Sequence, residues 1–255
     1  MALQRIEIQH VLEFDELVKR LRNVRLKGFP DVKIYEDSDF INIKSFSPQR
    51  ISEQVFTPQP AIYRNFLDRI DRMREIFSER GIDIFRLEGG IDYTAFDENG
   101  QETNWTIMPP VIEVLLINFA NHRPDYSKLI GKPLEERMIK EGHRLNPEVS
   151  SLSYDAFDKF SGLERIPIIC DGSHRIHSAY EKGIEQNLLV IDTPRWGYPY
   201  YAAPKPYSKV HVEQERPEGG SPDKTHVLTE PGHKLLYRLF PSGGILSGDV
   251  RPVKK

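Results

Sequence analysis

The 255 residues are 38% hydrophobic and 29% charged, with a formal net charge of −3. That balance suits a soluble globular chain and supplies no overall basic field for nucleic acid or an acidic membrane. No apolar run approaches the roughly 18 residues of a membrane span, and a lone cysteine, Cys170, excludes an intrachain disulfide. The opening MALQRIEIQH lacks the basic-then-apolar order of a secretory signal, so a cytoplasmic location is expected.

Along the chain, Phe14, Leu17, Val18 and Leu21 recur at helical spacing, with Gly28 as a stop. DVKIY and FINIKSF read as short strands. SPQRISEQVFTPQP, with three prolines, reads as an irregular connector. Pro60 opens the clearest helix, whose stripe is Ile62, Phe66, Ile70, Met73 and Phe77 and whose end is Gly81. Strands with a DENG hairpin turn follow. PPVIEVLLINF, from Pro109 to Phe119, predicts a buried strand, and about fifty residues separate it from RIPIICDG. That insert holds two candidate helices, KPLEERMIKEG and SYDAFDKFSG. NLLVIDTP predicts another buried strand. Beyond it lie an aromatic, proline-rich stretch, a linker-like ERPEGGSPDK and a candidate last helix in GHKLLYRLF.

The chemistry gathers at IPIICDGSHRIHSAYEKG. Ile166, Ile168 and Ile169 form a strand, Asp171-Gly172 makes a tight turn, and Ile176, Ala179 and Tyr180 set one face of a helix ending at Gly183. Ser173, His174 and Arg175 then occupy the first helical turn, where unpaired N–H groups and the positive end of the dipole favour an anion. Arg175 brings a planar fork suited to phosphate, and His174 a proton-carrying ring. The same residues also suit a plain helix start, with Asp171 as N-cap and Arg175 as a solvated charge.

Asp171-Gly172-Ser173-His174-Arg175, set between a strand and a short helix and preceded by the Pro-led MPPVIEV, resembles the D-G-x-H-R element of the ParB/sulfiredoxin-like fold. The resemblance spans roughly residues 109–194. It implies an α/β (α+β) chain in three parts: an N-terminal α+β region (1–108), a ParB/sulfiredoxin-like core (109–194) with a helical insertion around 120–164, and an aromatic, proline-rich extension (195–255). It also implies a nucleotide site. Gly172, Ser173, His174 and Arg175 would hold the phosphates of ATP or another nucleoside triphosphate with Mg2+. Asp171 and His174 would act in catalysis. Glu113, on the neighbouring strand, is the candidate general base if a hydroxyl accepts the phosphoryl group.

Sulfiredoxin chemistry needs a cysteine where this chain has Ser173, and ParB-type partition proteins carry helix-turn-helix modules that nothing after Pro194 provides. Two branches remain: one similar to free serine kinases, with a small-molecule acceptor, and one similar to D-G-Q-H-R ATPases linked to DNA modification and phage defence. A non-catalytic nucleotide-sensing module is the third reading. DNA is a partner under the ATPase branch alone, and no membrane partner is expected. Cys170, His174 and His177 have a spacing that can bind metal on a helix, but no second cluster lies nearby in sequence, so no metal site is assigned. Trp196, Tyr198, Tyr200 and Tyr201 could stack a base or pin a loop. The basic faces Lys19–Arg25 and Arg64–Arg74 read as solvated.

Overall fold

In the computed structural model, which describes residues 3–27, 29–36, 38, 40–57, 61–118, 163–192, 205–214 and 238–241, the apolar run after Pro110 becomes β9 (Val111–Asn118) inside a six-stranded mixed sheet. β9 pairs antiparallel with β10 (Leu163–Asp171) and parallel with β11 (Gln186–Asp192). Beyond β11 lies β4 (Phe40–Phe46). Beyond β10 lie the short β5 (Phe56–Thr57) and β12 (Lys205–Pro206). The sheet therefore draws strands from before residue 109, from 109–194 and from beyond 195.

Side chains alternate across a strand, so each strand feeds two cores. Val111, Ile166, Ile168, Leu189 and Ile191 line one face, covered by Leu17 and Leu21 of α1 (Phe14–Leu21) and by Tyr35. Ile112, Ile169, Leu188 and Val190 line the other. There they meet Ile51 of α2 (Pro48–Gln54), Ile176 of α4 (Ser173–Glu181) and Tyr207. A second, antiparallel sheet runs β1 (Leu3–Leu12), β7 (Gly90–Asp97), β8 (Glu102–Ile107). It packs on Ile70, Met73, Ile76 and Phe77 of α3 (Arg64–Ser78), and Ala179 of α4 joins that core. α4 thus has one side on the large sheet and another toward α3. The fold is α+β.

The expected strands DVKIY, FINIKSF, PPVIEVLLINF, RIPIICDG and NLLVIDTP appear as β3 (Phe29–Lys33), β4, β9, β10 and β11. The DENG turn forms as expected. The Asp97 carboxylate accepts from the N–H groups of Asn99 and Gln101, each at 2.8 Å, and Gly100 adopts φ 75°.

Other expectations need correction. SPQRISEQ is not irregular: it is α2, with Ser47 Oγ accepting from the Arg50 N–H at 3.2 Å and Pro48 in the first turn, where proline fits. The long helix starts at Arg64, because Ala61–Tyr63 is claimed by β6, which pairs in parallel with β13 (His211–Glu213). The end of GHKLLYRLF is not helical: Arg238 bridges Leu26 antiparallel, and the Leu239 N–H bonds the Arg25 carbonyl at 2.8 Å. β1 has no clean alternation to announce it in the sequence, only Ile6 and Leu12 being buried. Gly28, Pro60, the candidate helices of the insert, and Trp196, Tyr198, Tyr200 and Tyr201 lie outside the described residues. No helix among the described residues is long and apolar enough to cross a membrane.

Candidate functional site

The turn that ends β10 is built by three local devices. A register shift between Ile169 and Asp171 puts a bulge at Cys170, so that Asp171 stands opposite Val111. Gly172 then takes the left-handed conformation, φ 79°, ψ 24°. A Cβ there would lie 2.7 Å from Pro110 Cβ and 3.0 Å from Arg175 Nη2, so the position demands glycine for its conformation and for its room. The Ile176 N–H closes the first turn of α4 on the Gly172 carbonyl at 2.9 Å. The N-cap residue, Gly172, has no side chain of its own to cap this helix start. Pro110 packs on Gly172 and its carbonyl accepts from Leu189, so the Pro-led segment before β9 is a fixed wall for the motif.

Arg175 is turned inward. Its Nη1 donates to the Met108 carbonyl, and its Nη2 donates to Asp171 Oδ2 at 3.2 Å, the side chain being only 7% exposed. Burial draws its pKa below the usual guanidinium range, and the Asp171 carboxylate opposes that shift. Both terminal nitrogens are spent on the fold. Asp171 and Arg175 are four apart, the separation at which a carboxylate and a cation meet on a helical turn.

His174 remains partly exposed. The Tyr63 N–H donates to its Nε2 at 3.3 Å, which puts the proton of the neutral ring on Nδ1. Its ring stacks with Tyr63 (6.1 Å, 25°) and tilts against Phe66 (4.9 Å, 43°). β6 and the start of α3 therefore form an aromatic wall beside the motif. Ser173 is also partly exposed. Farther along α4, buried His177 meets the Tyr207 hydroxyl through Nδ1 at 2.9 Å. Its Nε2 is 3.6 Å from Glu181, and Glu181 in turn takes both prongs of Arg64 at 3.0 Å. Burial lowers the His177 pKa, and Tyr207, also buried, is raised above the ordinary phenol range.

Glu113 is not brought to this turn. It faces the α1 side of the sheet, with Val111 and Ile168, while α4 packs on the opposite side. There it is wholly buried and accepts two 2.8 Å bonds from Arg238, with the Tyr35 hydroxyl as a further donor. Half-buried Cys170 lies on that same face, and desolvation together with the Glu113 carboxylate raises its thiol pKa well above the usual value. Cys170, His174 and His177 are thus split between environments, and among the described residues no group of three or more His, Cys, Asp or Glu is placed to hold a metal.

The residues that the structure assembles are therefore Asp171, Gly172, Ser173, His174 and Arg175, with Met108, Pro110, Tyr63 and Phe66 added around them. The additions come from distant segments. Only MPP carried a signal, as the Pro-led strand that goes with the motif.

The sequence model of a family described as the ParB CE domain matches residues 16–119, from α1 through β9, and stops short of the Asp171–Arg175 turn. The match covers under half of the chain, and it is that stretch which is similar to the ParB CE domain. No curated protein and no solved structure matches the chain.

Proposed function

We propose that the chain is a ParB-like nucleotide-binding protein that takes the phosphates of ATP, or another nucleoside triphosphate, at the mouth of α4, and that it transfers a phosphoryl group to a small molecule. The observation that carries this reading is the start of α4 behind a left-handed Gly172, which brings no capping side chain of its own, with Ser173 and His174 partly exposed. Backbone N–H groups at such a helix start suit an anion, and the dipole adds to the attraction. His174, protonated on Nδ1, is a further donor to phosphate. Mg2+ would enter with the nucleotide, Asp171 being a carboxylate beside the turn; its bond to Arg175 would have to be shared. The metal would supply charge neutralisation on the phosphates.

Glu113, held in its buried ion pair on the far face, is left out of the proposed chemistry. An ATPase accessory to DNA modification or defence is the second reading, favoured by the ParB description of the matching family.

The test is a thermal-shift and calorimetric series with ATP, ADP, CTP and GTP, each with and without Mg2+. A triphosphate should raise the melting temperature and bind with a measurable Kd. Incubation with ATP and small hydroxyl compounds should then yield a phosphorylated product in step with ADP. ATP turnover that only duplex DNA stimulates supports the second reading, and binding without turnover supports a sensing module. No stabilisation by any nucleotide overturns the proposal.

A further inference from the structure

A triphosphate carries more charge than a helix dipole balances, and the motif arginine cannot add its own without abandoning Asp171 and the Met108 carbonyl. Among the cations on α3 and at the end of α4, Arg64 is committed through both prongs to Glu181, Lys182 to Asp71 at 2.8 Å and Arg72 to Glu75 at 3.1 Å, while Arg74 lies over Phe85, a ring in the core of the second sheet.

Arg69 differs. It is exposed on α3, and among the described residues its guanidinium touches only the Phe66 ring, 5.2 Å from the centroid. That ring is itself 4.9 Å from the His174 ring, so the guanidinium lies no farther than about 10 Å from the imidazole. A flexible arginine and an extended triphosphate together span that gap.

Resting on the nucleotide reading above, we infer that Arg69 is the cation that closes on the ligand's phosphates at the mouth of α4, with Phe66 as its rest position. The division of labour follows from burial. Arg175, desolvated and doubly bonded, shapes the turn. Arg69, solvated and held weakly over a ring face, is free to reorient, and its planar fork matches two phosphate oxygens. Phe66 contacts both the resting guanidinium and His174, so it links the cation to the helix mouth.

Titration calorimetry with two probes, ATP and inorganic tripolyphosphate, tests this on the full chain. Arg69→Ala should weaken both probes tenfold or more at an unchanged melting temperature, and it should reduce the salt dependence of binding. Arg69→Lys, which keeps the charge, should recover part of the loss. Equal affinities in Arg69→Ala and wild type overturn the inference while leaving the nucleotide reading intact. So does a loss confined to ATP, since that would place Arg69 on the base. A wild-type chain that binds neither probe overturns the nucleotide reading, and this inference falls with it.

Discussion

Arg238 grips Glu113 through two 2.8 Å bonds across 125 residues of chain, with Glu113 0% and Arg238 1% exposed at the side chain. Burial alone would lower the guanidinium pKa. The Glu113 carboxylate, through its charge and its hydrogen bonds, outweighs that effect and raises the Arg238 pKa well above its ordinary value. Around this pair, Phe240 stacks on Tyr35 at 6.0 Å and 24°, and Arg238 bridges β2 (Arg25–Leu26) through Leu26. A segment late in the chain thereby closes one face of the central sheet.

Breaking such a pair from one side strands a charge in the core, which costs about 3–5 kcal/mol. Arg238→Ala and Glu113→Gln should each lower the urea midpoint strongly. The double variant Glu113→Gln/Arg238→Met, which strands neither charge, should be less destabilised than the two losses added together. Strict additivity in a double-mutant cycle would show that the pair is not coupled.

Cys170 shares that face, and its raised pKa leaves little thiolate at neutral pH. Alkylation by a maleimide at pH 7.5 should be many-fold slower in the native chain than in urea. Cys170→Ser should cost stability, on the order of 1–3 kcal/mol, while phosphate binding per folded molecule stays the same. Rapid native labelling, or a stable variant that no longer binds, would contradict this placement.

The strands around the motif were legible because each is a short apolar run with a proline or glycine at its boundary, and those signals are local. The direction of Arg175 was not. Helical spacing puts it in the first turn of α4 but says nothing of whether it points outward to a ligand or inward to Met108. The i, i+4 relation to Asp171 was the clue that it turns in. The partner of Glu113 was out of reach for another reason: no periodicity links residues 125 apart. Ser47-Pro48 is an N-cap followed by a first-turn proline, a local signal for α2 that three prolines in fourteen residues mask as breakers.

His177 is enclosed by Tyr207, Tyr180, Glu181 and Arg64. Burial and Arg64 hold its pKa below the model-peptide range, although Glu181 pulls the other way. The unfolded chain therefore takes up this proton first as pH falls. The group leaves stability unchanged above about pH 6.5 and drains it as pH drops from there towards the folded pKa. Urea midpoints between pH 7.5 and 5 should fall more steeply for wild type than for His177→Gln. Parallel slopes would mean that His177 titrates as it does in the unfolded chain.

Arg175 yields the prediction that separates a structural arginine from a ligand-holding one. Its removal leaves the Met108 carbonyl and the Asp171 carboxylate without their shared donor in a nearly closed site. Hydrogen bonds involving charged groups are worth about 1.5–3 kcal/mol each, so Arg175→Ala should lose roughly that much stability or more. Arg175→Lys should rescue little, because an ammonium cannot reproduce the two-directional fork. Any loss of phosphate affinity should follow the loss of fold: conditions that restore folding, such as lower temperature or a stabilising osmolyte, should restore binding as well. An Arg175→Ala chain with the wild-type melting temperature and no phosphate affinity would show that the side chain leaves its buried partners to hold the ligand directly.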